Sequence, residues 1–90
     1  MPNRRATIAA AVGLHARPAS LFVKAAQGAG QPVLIGRIGQ TKVNAQSILA
    51  VMSLGVKQGE EVELTAEGDG AESVLDELAA MLASDLDQES

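Results

Sequence analysis

The chain holds one histidine, His15, and no cysteine, tyrosine or tryptophan. Covalent chemistry near neutral pH therefore points to His15. An imidazole that is neutral at physiological pH can act as a nitrogen nucleophile. Its neighbours suit a phosphoryl group. Arg17 stands two residues on, and its planar fork matches phosphate oxygens. Pro18 lacks an N–H and has a φ suited to the first turn of a helix. Gly13 lets the chain turn sharply from a strand into that helix. The first backbone N–H groups of a helix have no intrahelical partner and carry partial positive charge, which makes a helix start an anion site. Phosphoryl transfer asks the protein mainly to position the group and neutralise charge. A histidine near a helix start also serves as a cap or a surface residue, and the arginine as a solvated charge. Residue types alone leave both readings open.

The elements that must position these residues follow from periodicity. Residues 4–10 alternate, with Ala6, Ile8 and Ala10 on one face, and read as a strand. Residues 11–14 make the turn to the site. Residues 16–27 form a helix with Ala19, Phe22, Val23 and Ala26 as its apolar stripe, ended by Gly28-Ala29-Gly30 and Pro32. Gly28-x-Gly30 is no dinucleotide fingerprint, because it lacks the third glycine and follows a helix. Residues 33–37 and 41–45 read as a hairpin. Ser47 caps a short helix over 48–54, closed by Gly55. Ile48, Val51 and Met52 share one face of that helix, while Leu49 points away. Its two apolar directions imply either a core side and an exposed docking side, or burial of both. Residues 60–67 alternate as a fourth strand, with Val62, Leu64 and Ala66 inward. Asp69 with Glu72 reads as a capping box for a last helix over 71–83, whose stripe is Val74, Leu75, Leu78 and Leu82. The tail, 85–90, is polar and reads as frayed.

The order is β-α-β-β-α-β-α. It predicts an α+β, open-faced sandwich: a four-stranded antiparallel sheet with three helices on one face. Ninety residues imply a single domain over 1–90. The hydrophobic fraction is 47% and the only aromatic is Phe22, so the core is aliphatic. The absence of cysteine excludes disulfides and thiolate metal sites, and one histidine cannot build a usual metal site. No cofactor is expected. No apolar run approaches the roughly 18 residues needed to span a bilayer, and no signal-peptide pattern follows the N-terminus. The expected location is cytoplasmic, without membrane insertion.

Charge divides sharply along the chain. All seven Lys and Arg precede Glu60, and all eleven Asp and Glu lie from Glu60 onward, giving the net −4. Either the halves interleave and neutralise each other, or a basic face with Arg17 and Lys24 surrounds His15 and steers anionic groups to it. Nucleic acid is an unsuitable partner, since no aromatic platform accompanies the basic residues.

Two segments carry a family resemblance. Gly13-Leu14-His15-Ala16-Arg17-Pro18-Ala19 resembles the active-site signature of HPr, the histidine-containing phosphocarrier family of the bacterial sugar phosphotransferase system. Val43-Asn44-Ala45-Gln46-Ser47-Ile48-Leu49-Ala50-Val51-Met52-Ser53-Leu54-Gly55 resembles the second HPr signature, around its serine. The similarity spans nearly the whole chain, with one extra residue near Gln40 or Thr41 that should widen the hairpin turn without touching the chemistry. The resemblance implies a carrier, not an enzyme by itself. His15 would accept a phosphoryl group at Nδ1 from phospho-enzyme I, charged by phosphoenolpyruvate, and pass it to the A components of enzymes II. Arg17 and the backbone N–H groups of Ala16 and Arg17 would stabilise the phosphate.

Ser20, Ile48, Leu49 and Met52 would bind partner proteins. Ser47 would be a regulatory phosphorylation site, with a serine kinase or a transcriptional regulator as further candidate partners. Gln46 departs from the lysine many relatives carry there, which weakens that inference. A paralogue in a regulatory phosphorelay, or a docking module that is never phosphorylated, are the alternative functions. Nothing in the sequence demands a dimer, and a monomer is expected.

Overall fold

The computed structural model describes residues 2–9, 13, 14 and 16–84. Its elements are β1 (Asn3–Thr7), α1 (Ala16–Gly28), β2 (Val33–Arg37), β3 (Val43–Asn44), α2 (Ile48–Ser53), β4 (Glu61–Ala66) and α3 (Ala71–Ala83). The sheet order is β1-β4-β2-β3, and every neighbouring pair is antiparallel. The expected open-faced α+β architecture is the one observed.

Alternation explains the layers. Along β4, Val62, Leu64 and Ala66 are buried while Glu61 is exposed and Glu63 and Thr65 are half-buried. The inward residues meet Ala6 of β1 and Val33 and Ile35 of β2 in one apolar sheet face. The helices cover that face. Phe22, Val23 and Ala26 of α1 and Leu75, Leu78 and Leu82 of α3 join the sheet residues in a continuous buried cluster. Both expected helical stripes are therefore core, except that Val74 is only half-buried.

Four features differ from the sequence reading, besides shifts of one residue at the end of α1 and at both ends of β4. β1 stops at Thr7 instead of reaching residue 10. Ile8 still donates to the Glu60 carbonyl, but the Ala9 N–H turns to Leu82 of α3, 3.0 Å away, and leaves the sheet. Ala10 lies outside the described residues, as do residues 11, 12 and 85–90. The capping box at Asp69 does not form. The N-cap of α3 is Gly70, at φ 79°, without a side-chain cap, and Asp69 is exposed. The Ala71 N–H bonds the Gly68 carbonyl, so the frame lies one residue later and Glu72 is no longer in the position a box requires. α2 ends one residue early, at Ser53, with Leu54 as its C-cap.

The fourth difference is β3, which pairs only over Val43 and Asn44 instead of 41–45. Thr41 and Lys42 lie across β2 at Gly36. A Cβ on Gly36 would stand 3.0 Å from both the Lys42 Cα and the Thr41 carbonyl oxygen. Gly36 thus gives the chain room to cross, and Lys42 reaches over it to Glu63 of β4, Nζ to Oε1 2.9 Å. That hydrogen bond from the Lys42 ammonium holds the Glu63 carboxyl below the usual glutamate range, with partial desolvation opposing it.

A group whose folded pKa is lowered adds stability that is present above its unfolded pKa. That stability is lost as pH falls through the folded value. Urea unfolding of wild type and Glu63→Gln, followed from pH 7 downward, is therefore expected to show a shallower loss of stability on the acid side for the variant.

Candidate functional site

The start of α1 is fixed by a backbone junction. The Leu14 N–H donates to the Val56 carbonyl at 2.9 Å, and the Leu14 side chain is buried. Gly13 has φ 75°, and a Cβ there would stand 2.5 Å from the Val56 oxygen and 2.9 Å from the Lys57 Cα. Only glycine fits both the backbone angle and the space. His15 itself lies outside the described residues, covalently between Leu14 and Ala16. Ala16 opens α1, Arg17 is its exposed second residue, and Pro18 is fully buried at the third position, where no N–H is required.

Arg17, Ser20, Lys24 and Gln27 are all exposed and form one stripe along α1. Ser20, Val23, Lys24 and Gln27 line a shallow groove closed on its far side by Ile48 of α2. α2 itself divides as one of the two sequence alternatives required. Val51 is buried, Met52 is half-buried, Ile48 sits at the rim at 37% exposure, and Leu49 stands out at 79%. The helix thus has a core side and an exposed apolar side. Of the expected partner-binding residues, Ser20 and Ile48 share the groove, and Leu49 is the most exposed large apolar side chain among the described residues.

Both ends of α2 are tied down. At its N-terminus Ser47 is the N-cap, φ −115° and ψ 119°, and its Oγ accepts the Ala50 N–H at 3.3 Å. Just before it, the Gln46 amide donates to the carbonyls of Ala26 and Gln31, both at 2.9 Å. Gln27 returns a bond to the Gln46 carbonyl at 3.0 Å. The glutamine that departs from the common lysine therefore joins the end of α1 to the start of α2. At the C-terminus, the Arg37 guanidinium donates to the carbonyls of Leu54 and Gly55, and it pairs with Glu60, Nη2 to Oε2 3.1 Å. Glu60 Oε2 also accepts the Lys57 N–H at 2.6 Å. That backbone bond, followed by the bond from Arg37, holds the Glu60 carboxyl below the usual glutamate range. Sequence reasoning missed Arg37 and Glu60, because their mutual pairing and the bonds from Arg37 to Leu54 and Gly55 join residues far apart in the chain.

Charge follows both sequence readings in part. Arg4–Asp76, Arg37–Glu60 and Lys42–Glu63 each pair a basic residue of the first part with an acidic residue of the last. Arg17 and Lys24 lie together on the exposed stripe of α1. Among the described residues no three His, Cys, Asp or Glu side chains gather as a metal site, and no helix is long and apolar enough to cross a membrane.

Comparison with known proteins decides the family. The PTS-HPr model, described as the PTS HPr component phosphorylation site, matches residues 2–84. The chain belongs to the HPr family. It is 47% identical over 88 residues to the phosphocarrier protein HPr of Streptomyces coelicolor, covering 98% of this chain and 95% of that protein. It is 38% identical over 86 residues to the HPr-like protein Crh of Bacillus subtilis, covering 96% of this chain and 100% of that one. Among solved structures, HPr-C-His from Thermoanaerobacter tengcongensis matches with a TM-score of 0.88 at 40% identity over 100% of both chains. HPr membership makes the protein a phosphocarrier of the phosphotransferase system, serving sugar transport.

Two substitutions test the local geometry by chemical denaturation. Leu49→Ala is expected to change stability by less than about 0.5 kcal/mol, as for an exposed residue, whereas Val51→Ala on the same helix should cost about 2 kcal/mol. Gly13→Ala should destabilise by about 1–3 kcal/mol through backbone strain alone, with the clash at Val56 adding to it.

Proposed function

We propose that the phosphoryl group is carried on the His15 ring, with phospho-enzyme I as donor and the A components of enzymes II as acceptors. The observation that carries this reading is the junction at Val56. It anchors Leu14, and with it the chain entering α1, beside the exposed stripe that bears Arg17. The neutral imidazole nitrogen, Nδ1 by family resemblance, forms its bond to phosphorus as the donor's bond to phosphorus breaks. The reverse exchange hands the group to the acceptor. Arg17 and the backbone N–H groups at the start of α1, those of Ala16 and Arg17, receive the phosphate oxygens. Ser20, Ile48, Leu49 and Met52 form the docking surface, with a polar groove on one side and an exposed apolar residue on the other.

Ser47 has a second role in this reading, as a regulatory phosphorylation site. Its Oγ already faces the N–H groups at the start of α2, so an added phosphate would find donors there. The same charge would lie within the docking surface and oppose an anionic donor. A chain that acts as a single domain and a monomer satisfies every role assigned.

A reconstituted assay of sugar phosphorylation tests the reading. His15→Ala is expected to abolish transfer, and Arg17→Ala to slow it by about 100–1,000-fold, the range lost when one preorganised donor to a charged group is removed. Ser47→Asp should keep the cap and lower the rate of phosphoryl acceptance. Full retention of partner binding and sugar phosphorylation by His15→Ala would instead favour a docking module without phosphoryl chemistry.

A further inference from the structure

The connection from α2 to β4 is held from both ends by two side chains. Arg37, the last residue of β2, donates to the carbonyls of Leu54 and Gly55. Those groups stand just past the six-residue α2, at its C-cap Leu54 and the residue after it. Glu60 binds the same guanidinium and the Lys57 N–H. Val56, between them, is buried, and its carbonyl is the one that accepts from Leu14 and against which Gly13 is pressed.

We propose that Arg37 and Glu60 are positioning residues for phosphoryl transfer. They fix residues 54–57 as a ledge that sets the start of α1 relative to the exposed apolar residues of α2. The inference rests on the phosphocarrier reading of His15. Neither side chain meets the phosphoryl group. Both act through the Val56 carbonyl, so loosening them should misplace the site while leaving the docking residues in being. The expected signature is a loss in the rate of transfer with little change in apparent affinity for the donor.

The experiment uses the full chain as wild type, Arg37→Met, Arg37→Lys and Glu60→Gln, with Arg4→Met as a control at the exposed Arg4–Asp76 pair. Amide exchange of Leu14 is read relative to that of Leu64, and kcat and KM are measured for acceptance from a phosphorylated donor protein. Arg37→Met is expected to speed Leu14 exchange by about tenfold, and to lower kcat by about tenfold with KM within about twofold. Arg37→Lys should recover part of both, since one ammonium can serve some of the acceptors. Glu60→Gln, which keeps an acceptor for the Lys57 N–H, should fall between wild type and Arg37→Met, and Arg4→Met should match wild type.

Wild-type values of Leu14 exchange and kcat in both Arg37→Met and Glu60→Gln would overturn the proposal. So would equal effects in Arg4→Met, which would mark a general loss of stability. If Arg37→Met does not fold, Glu60→Gln and Arg37→Lys decide by the same two readouts. If wild type accepts no phosphoryl group, the His15 reading fails separately. The coupling then stands or falls on Leu14 exchange.

Discussion

One backbone hydrogen bond, from the Leu14 N–H to the Val56 carbonyl, joins the two halves of this protein that must cooperate. On one side it fixes the chain just before α1. On the other it belongs to the connection between α2 and β4. A buried bond of this kind contributes only about 1 kcal/mol net, but leaving its partners unsatisfied would cost more, and the bond admits little freedom. Gly13 tightens the constraint, because its position tolerates neither a side chain nor an ordinary φ. The start of α1 therefore stands where the α2–β4 connection stands.

That dependence explains why so much polar bonding is spent on a short helix. Six residues bury one side chain completely, Val51, and a helix of that length is not stable alone. Ser47 and Gln46 secure one end and Arg37 with Glu60 the other. Leu49 can then remain in solvent without the helix collapsing inward to hide it. The sheet supplies the rigid base beneath. Its inward face merges with α1 and α3 in a single aliphatic core around Phe22, and its outer face carries the Lys42–Glu63 pair across Gly36.

The parts legible in sequence are those governed by short-range periodicity. The alternation of β4 and the stripes of α1 and α3 placed the right residues in the core, the half-buried Val74 excepted, because burial on one face leaves a period that a local window detects. The cap at Ser47 was also legible, since it depends on positions within one helical turn, whereas spacing set Leu49 apart from the core face of α2 and left its burial open. The α3 cap was not. A turn among Gly68, Asp69 and Gly70 satisfied the backbone without a side chain and displaced the frame by one residue. β3 came out short because a crossing over Gly36 is a tertiary fact, visible only beside the strand it crosses. The roles of Gln46, Arg37 and Glu60 were illegible for the same reason. Their partners are carbonyls and amides brought near by the fold, and every residue has those groups. At the site, sequence alone offered His15, Arg17 and Ser47 with their chemistry, and the structure adds the ledge that holds their surroundings.

The most direct measurement of the central claim is intact-protein mass after incubation with phosphoenolpyruvate and catalytic enzyme I, for wild type and His15→Ala. The account predicts one added phosphate on wild type only, labile in acid and stable in alkali, as expected of phosphohistidine. An unmodified wild type, with an enzyme I shown to be active on another HPr, would contradict it, as would equal modification of the His15→Ala protein.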